Sequence, residues 1–322
     1  MVIRLLAGMA LLLVSMGLGW WLHRRRLMPE ARASQLVRWI VMWPSPVILC
    51  LSLWRMPLRS AQPWLLPLLG LIISSSSLLP AYWYAVRAKL TRPQTGSFLT
   101  CAFFSNLGYL GAFVAFAVYG EAGYALCMLY LIFFTPCFYT LGFGIASRYG
   151  TAAARQSSQS GSSGLSGSSG LADAFNDKLR LYPFLGMLAG IALNVAGVHR
   201  PEWLEPVNHV LIPIATALYL IAIGSQLTFE SPRPMLQHCL VMSGIKFLYL
   251  PLVAWALVSL FQIQGMPRIV VLLQASTPVG VSPLVLPLLF GLDRRLANAV
   301  WLVTTAVAIP WMLLILPVLR GL

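Results

Sequence analysis

SNLGYLG, residues 105–111, and ASTPVGVSP, residues 275–283, lie in the middle of two long apolar segments. Glycine tolerates unwound backbone, and proline removes a backbone donor and disrupts the helical hydrogen-bond ladder. Each stretch therefore predicts a break within a helix. In hydrocarbon, unwound backbone is allowed only where it faces protein or a water-filled cavity. Two such breaks are typical of a membrane protein with a polar position deep inside the bilayer.

The composition of the rest of the chain supports a membrane location. Of the 322 residues, 59% are hydrophobic and only 9% are charged, whereas soluble domains carry about 25% charged residues. A spanning helix needs roughly 20 apolar residues to cross the bilayer core. The apolar segments predict an all-α integral membrane protein with ten spans, near residues 3–22, 36–54, 64–86, 98–118, 123–146, 181–198, 210–229, 237–262, 269–290 and 298–319.

The Lys and Arg residues lie between the apolar segments and indicate the orientation of the chain. The formal net charge is +14, which in a soluble protein would suggest nucleic acid, but here the positive-inside rule applies. The loops that follow odd-numbered spans hold 15 of the 22 Lys and Arg residues, and the opposite side holds 6. We therefore expect a multi-pass protein of the plasma (inner) membrane with both termini outside, residues 147–180 in the cytoplasm and no nucleic-acid partner.

A Ser/Gly-rich segment divides the chain in two. Of the 14 residues 157–170, 12 are Ser or Gly, a composition typical of a flexible coil. We predict a first five-helix repeat at 1–150, a flexible cytoplasmic loop at 151–178 and a second five-helix repeat at 179–322. Because five is odd, the second repeat enters the membrane in the opposite sense, as in the inverted repeats of secondary transporters. The two breaks fall in the fourth span of each repeat.

The matched breaks predict a substrate site at the middle of the membrane. Broken helix ends present N–H groups to anions and carbonyl groups to cations. The alternative is that both spans are kinked helices packed through small residues, but their equal positions in the two repeats favour a site. The candidate substrate-binding residues, at the crossing of spans four and nine, are Ser105, Asn106, Gly108, Gly111, Ser276, Thr277, Pro278, Gly280 and Ser282.

Lys246 is the one ionisable residue deep within a predicted span. A charged side chain at the centre of a bilayer costs about 2.5–3.5 kcal/mol on insertion scales, so a partner or a cavity is expected. Lys246 is a candidate counter-charge for an anionic substrate or a support for the crossing, and the alternative is a side chain that extends to the membrane interface. All Asp and Glu residues lie in loops or at span ends, which disfavours a proton antiporter with a buried carboxylate pair.

Four stretches resemble the auxin efflux carrier family of bacterial and plant transporters, also called PIN-like. They are similar to that family's first hairpin, fourth helix, seventh helix and last two helices, and they read LGWWLHRRRLMPEARASQLVRWIVMWPSPVI (18–48), FSNLGYLG (104–111), LIPIATALYLIAIGSQL (211–227) and QASTPVGVSPLVLPLLFGLDRRLANAVWLVTTAVAIPWMLLILP (274–317). Two residues depart from the family pattern. Ala112 replaces a proline after the first motif, and Ser282 replaces a frequent asparagine in the second. From Ala112 we expect a less sharp first break.

The resemblance implies ten helices with both termini outside. It also implies a scaffold formed by helices 1, 2, 6 and 7, and a mobile unit formed by helices 3–5 and 8–10, in which broken helices 4 and 9 cross. In this family the substrates are organic anions, such as auxin in plants and dicarboxylates in some bacteria.

We therefore expect a secondary transporter, a permease or efflux carrier, of a small organic anion such as a carboxylate, working by alternating access. The alternatives are a sodium-coupled organic-anion symporter of bile-acid-transporter-like fold and a passive channel. A membrane-embedded enzyme is less favoured because the sequence shows no acidic or histidine cluster in a span, so no catalytic residue, cofactor or metal site is predicted. The expected partners are the anion and the lipid bilayer, and both a monomer and a homodimer remain open.

Overall fold

The computed structural model describes four stretches of the chain, residues 2–56, 62–150, 178–225 and 233–320. Across these stretches the chain is helical and contains no β-strand. The one strand-like feature there is an isolated antiparallel bridge between Ser105 and Val279. The Ser/Gly-rich segment 157–170, predicted to be a flexible loop, lies outside the described residues.

The helices of the first half of the chain are α1 (Val2–Arg24), α2 (Glu30–Met42), α3 (Pro44–Trp54), α4 (Gln62–Ser76), α5 (Leu78–Arg87), α6 (Arg92–Phe103), α7 (Ala112–Tyr130), α8 (Phe134–Cys137) and α9 (Phe143–Tyr149). The helices of the second half are α10 (Lys178–Val195), α11 (Leu204–Gly224), α12 (Leu236–Gly244), α13 (Leu250–Leu260), α14 (Gly265–Ala275), α15 (Ser282–Phe290) and α16 (Arg294–Arg320). Three π-helical turns, Leu107–Gly111, Phe138–Gly142 and Ile245–Tyr249, precede α7, α9 and α13, and a 3₁₀ turn, Arg233–Met235, precedes α12.

Local sequence explains how α6 and α16 begin. Thr91 and Gln94 form a capping box at α6, in which Thr91 N donates to Gln94 Oε1 at 3.1 Å, and Pro93 lies in the first turn. At α16 the carboxylate of Asp293 accepts a hydrogen bond from Leu296 N at 2.9 Å. These side chains satisfy backbone donors that have no partner within their helix.

Within the part of the chain that the structure describes, six helical stretches are long and apolar enough to cross a bilayer, namely Ala31–Trp54, Gln62–Arg87, Leu107–Tyr130, Leu204–Gly224, Arg233–Leu260 and Arg294–Pro317. Leu181–Val195 and Gly265–Ala275 are shorter apolar helices. Gly120 interrupts the third stretch with φ 66° and ψ −156°, a conformation that glycine reaches more easily than other residues. The structure is thus an all-helical, multi-pass architecture. Breaks such as the one at Gly120 shorten individual helices, so helix length alone does not give the number of spans. The ten spans and their inverted repeat therefore stay a prediction.

The described chain divides into two compact units. The first unit comprises Met1–Trp64, Gly108–Leu129 and Asp177–Thr228, and the second comprises Leu65–Leu107, Tyr130–Asn176 and Phe229–Leu322. Each unit therefore contains segments from both halves of the chain.

In the first unit, glycines allow two pairs of helices to pack backbone against backbone. A Cβ on Gly19 of α1 would overlap the Ile221 carbonyl of α11, and a Cβ on Gly224 of α11 would overlap the Met16 carbonyl of α1. The same relation joins α10 to α3, where Gly186 meets Pro46 and Gly190 meets Cys50. Close approach through small residues is a common way for helices to associate in lipid, where no hydrophobic effect drives them together.

Residues 108–129 pack within the first unit, although the resemblance placed them in the mobile unit. Phe113 belongs to a buried cluster with Leu12 and Ile212. The ring of Tyr109 stacks on that of Tyr219, with centroids 3.5 Å apart and an interplanar angle of 12°. These apolar and aromatic contacts explain why the segment packs with α1 and α11 rather than with the helices next to it in sequence.

The second unit has an aromatic core. Phe104 meets Phe103, Phe134 and Phe138 edge to face, at centroid distances of 4.7, 5.3 and 5.4 Å. Edge-to-face contacts between aromatic rings contribute about 0.5–1.5 kcal/mol each beyond the burial of their area. This cluster fixes the end of α6, the point at which the first predicted break begins.

Candidate functional site

Both predicted breaks are interruptions of helices in the structure. Helix α6 ends at Phe103, and the three residues Phe104–Asn106 are not helical. Helix α14 ends at Ala275, and the chain becomes helical again only at Ser282. These two interruptions lie within the second unit, and we call them together the crossover, residues 104–106 and 276–281.

The two interruptions satisfy each other's backbone groups. Asn106 N donates to Pro278 O at 2.8 Å, and Gly280 N donates to Phe104 O at 2.9 Å. Between these two hydrogen bonds Ser105 and Val279 form the antiparallel bridge. Buried backbone donors and acceptors need partners, so each break supplies what the other lacks. The first break lies before Ala112, which begins α7, so the missing family proline does not prevent it.

A glycine is required at position 280 because the two interruptions lie very close together. A Cβ at this position would lie 2.8 Å from Ser105 O and 3.0 Å from Ser105 C. Real Cβ atoms do not come this close to backbone, so a larger residue would push the two breaks apart. The glycine was predicted as a helix breaker, and the structure adds this steric reason.

Lys246 reaches the crossover from the π-helical turn Ile245–Tyr249. Its Nζ donates to Ala102 O at 2.6 Å and to Ser105 Oγ at 2.7 Å, and its side chain is fully buried. The side chain therefore does not extend to a membrane interface, which was the alternative reading of the sequence. π-Helical turns are frequent at functional sites, and here the turn places an amine beside the end of α6.

Two of the three predicted polar residues of the second break, Ser276 and Thr277, are buried and bonded to their own helix. Ser276 Oγ donates to Leu272 O at 2.7 Å, and Thr277 Oγ1 donates to Gln274 O at 2.8 Å. Both hydroxyls thereby cap the C-terminal end of α14, and their oxygen atoms remain able to accept. Ser282 begins α15 and is half-buried.

Gly108 and Gly111 lie just beyond the first break. They belong to the π-helical turn Leu107–Gly111 and to the first unit, whereas Ser105 and Asn106 belong to the second. The boundary between the units therefore falls within the predicted motif, between Leu107 and Gly108. Asn106 is buried, with 7% of its surface exposed.

Two polar residues at the crossover were not predicted from sequence. Thr304 of α16 is fully buried, and its Oγ1 accepts a hydrogen bond from Val279 N at 3.3 Å. Gln274 is also fully buried, and neither its Oε1 nor its Nε2 has a hydrogen-bond partner among the described residues. The sequence signal that could have identified Gln274 is its place two residues before the Ser-Thr-Pro sequence.

A small cleft lies in the second unit beside the first break. It has an empty volume of about 260 Å³ and is lined by Gly70, Leu71, Ser74, Phe103, Leu107, Tyr130, Leu131, Phe133, Phe134 and Cys137. Its lining is mostly apolar and contains no charged residue. Among the described residues no three His, Cys, Asp or Glu side chains lie close enough to hold a metal ion.

Comparison with known proteins identifies the family. The family described as membrane transport protein matches residues 5–316. A protein of Methanothermobacter thermautotrophicus, named as an uncharacterized transporter, is 25% identical over 298 residues, which cover 92% of each chain. A second uncharacterized transporter, from Methanocaldococcus jannaschii, is 24% identical over 224 residues, covering 67% of this chain and 66% of its own. The chain therefore belongs to the membrane transport protein family, the PIN-like auxin efflux carriers, and is a multi-pass membrane transporter.

Proposed function

We propose that this transporter is a secondary carrier that moves a small organic anion, such as a carboxylate, across the plasma membrane by alternating access. The observation that carries this proposal is the buried amine of Lys246 at the crossover, where two helices are broken. A broken helix and a cation together make a position that favours negative charge.

The charge distribution around the crossover supports an anion rather than a cation as substrate. The described carboxylates that form ion pairs do so in the first unit, where Glu121 pairs with Arg200 and Glu205 with Arg55. Lys246 has only neutral acceptors, Ala102 O and Ser105 Oγ, among the described residues. An anion bound nearby would meet a basic side chain that has no carboxylate partner in the described chain.

We place the anion in the second unit, beside Asn106 and the backbone of Gly280. The other proposed substrate-binding residues of this unit are Ser105, Ser276, Thr277, Pro278 and Ser282, and the roles of Gly108 and Gly111 stay predictions from sequence. The Ser276 and Thr277 hydrogens are already donated to carbonyls of α14, so these hydroxyls act as acceptors or shape the site. Donors to the anion would come from the Asn106 amide, the Lys246 amine and the backbone N–H groups at the start of α15.

The proposed architecture is the ten-helix inverted repeat predicted from sequence. Residues 1–150 and 179–322 form the two repeats, joined by a cytoplasmic loop at 151–178, and both termini lie outside. Alternating access needs two bodies that change their relation to each other. The two compact units are the natural bodies, because each has its own buried core.

The test is transport into proteoliposomes. The purified protein is given radiolabelled lactate, pyruvate, succinate and citrate, each with and without a sodium gradient. We expect saturable uptake of at least one of these anions and counterflow when the lumen is preloaded with it. Absence of saturable flux for every anion would contradict the substrate class, and flux without saturation or counterflow would indicate a channel.

Asn106→Ala tests the position of the site. We expect at least a tenfold loss of uptake at equal reconstitution, because an amide that contacts the substrate is removed. Ser259→Ala is the matched control, since Ser259 is an exposed polar residue on α13 of the same unit. Equal uptake by the Asn106→Ala and Ser259→Ala variants would show that the anion binds elsewhere.

A further inference from the structure

The bonding of Lys246 fits an amine that is not permanently charged. A neutral amine has two N–H donors and one lone pair, whereas an ammonium has three donors and no acceptor. The structure supplies two acceptors, Ala102 O at 2.6 Å and Ser105 Oγ at 2.7 Å. The two donors of a neutral amine are therefore satisfied, while an ammonium would keep one N–H without a partner in the described chain.

The charged and titratable groups around Lys246 do not stabilise a permanent ammonium. On α6, the titratable group near the amine is Cys101, a fully buried free thiol. On α12, Cys239 is buried and His238 bonds with Tyr84. Helix α13 contains no titratable side chain, and α16 begins with the cations Arg294 and Arg295. No carboxylate among the described residues forms an ion pair with Lys246.

An anion at the crossover changes this balance. A negative charge within a few ångströms favours the charged form of a neighbouring amine, and a carboxylate oxygen supplies the third acceptor that an ammonium needs. Ser105 connects the two positions, because its hydroxyl accepts from Lys246 and its backbone neighbours Asn106. Binding of the anion and binding of a proton to Nζ are then mutually favourable, and such coupling is reciprocal.

We propose that Lys246 is the proton-coupling residue of the carrier. The lone pair of Nζ takes up a proton from the solvent on the side where the anion binds. The ammonium and the anion form a neutral pair, and the proton leaves Nζ when the anion leaves on the opposite side. No electron is transferred, and one proton moves with each anion in the same direction. This inference rests on the proposed function, since it requires an anion at the crossover.

The closing experiment measures protons and anions together. Proteoliposomes enclose a pH-sensitive dye, and radiolabelled lactate, pyruvate, succinate or citrate is added outside without a pH or sodium gradient. Protein-free liposomes correct for passive entry of the protonated acids. For the anion that shows saturable uptake we expect acidification of the lumen by about one proton per anion, since one titrating group is coupled to one site.

Two variants separate proton coupling from a structural role. Lys246→Arg keeps a cation that does not deprotonate. We expect slower but measurable anion counterflow, because a proposed donor to the anion is altered, and a ratio of protons to anions near zero. Ser105→Ala removes one acceptor but leaves the amine, so we expect slower uptake with the ratio of the unchanged protein. A residue with a merely structural role would alter rates in both variants and leave the ratio unchanged.

Each outcome decides one claim. Saturable uptake without luminal acidification overturns proton coupling and leaves the proposed function intact. A ratio in the Lys246→Arg variant equal to that of the unchanged protein also overturns it, because the proton then travels on another group or on the substrate. If Lys246→Arg does not reconstitute, Lys246→Met replaces it. Its anion uptake is expected to be slower, because a donor to the anion is lost, and its ratio of protons to anions is expected to be near zero. Absence of saturable uptake of all four anions overturns the proposed function and this inference with it.

Discussion

Two buried basic residues, Arg200 in the first unit and Lys246 in the second, are held in opposite ways. Arg200 lies 2.8 Å from the Glu121 carboxylate and donates to Leu51 O at 2.7 Å. Lys246 is buried more completely, yet its acceptors are a carbonyl and a hydroxyl, both uncharged. Arg200 has a counter-charge within the protein, and Lys246 has none among the described residues.

The difference indicates separate tasks for the two units. A buried ion pair is balanced in every state of the protein, and breaking it leaves an uncompensated charge. It suits a permanent connection, here between the kink at Gly120 and the end of α3. A buried amine among neutral acceptors is balanced only when it is deprotonated or when an anion arrives. It suits a site whose charge changes during a cycle.

The largest expected effect comes from breaking the paired cation. Glu121→Gln leaves Arg200 buried without its counter-charge, and we expect a loss of about 3–5 kcal/mol of stability. The measurement is thermal unfolding of the purified protein in detergent. Glu205→Gln is the matched control, because the Arg55–Glu205 pair is largely exposed and exposed ion pairs contribute little to stability. Equal destabilisation by both substitutions would show that the buried pair contributes no more to stability than the exposed pair.

A smaller effect is expected from crowding the crossover. Gly280→Ala puts a Cβ 2.8 Å from Ser105 O, and overpacking of this kind costs about 1–3 kcal/mol. We also expect reduced uptake, since the Ser105 hydroxyl bound to Lys246 must shift. Gly244→Ala on α12 is the control, because a Cβ there meets no atom within 4 Å. Unchanged unfolding and uptake after Gly280→Ala would show that the two breaks separate easily.

The smallest effect concerns a neutral hydrogen bond at the same place. Thr304→Val removes the acceptor of Val279 N, and a lost hydrogen bond of this type costs about 0.5–1.5 kcal/mol. Thr305→Val is the matched control on the next residue, because Thr305 Oγ1 has no hydrogen-bond partner among the described residues. We expect the unfolding temperature to fall for Thr304→Val alone. A fall for Thr305→Val of the same size would place the effect in side-chain packing.

The sequence predicted the features that depend on local chemistry. Glycine, proline and small polar residues inside apolar segments located both breaks, and a lone lysine in a span indicated a buried partner. The family was recognised from the same motifs. The partner of a buried polar side chain depends on tertiary contacts. The hydrogen bonds of Lys246 to Ala102 and Ser105 therefore could not be predicted from its position in the sequence.

Residues at segment ends were the hardest to predict. Glu121 and Arg200 both read as loop residues, but in the structure they form a buried pair. They are far apart in the chain, and no periodic pattern connects them. Thr304 and Gln274 were missed for a related reason, since hydropathy does not tell which face of an apolar helix meets the crossover. The packing of residues 108–129 with the first unit likewise depends on contacts such as Tyr109 with Tyr219.

The glycine contacts of the first unit have a mechanical consequence. Gly19, Gly224, Gly186 and Gly190 each lie where a carbonyl of the facing helix leaves no room for a side chain. Sliding either helix pair by one residue, about 1.5 Å, would bring a larger residue to the carbonyl. Shear between packed helices is one common form of conformational change, and hinge motion is another. These four contacts resist sliding within each helix pair. A force applied to this unit would therefore move the paired helices together rather than past one another.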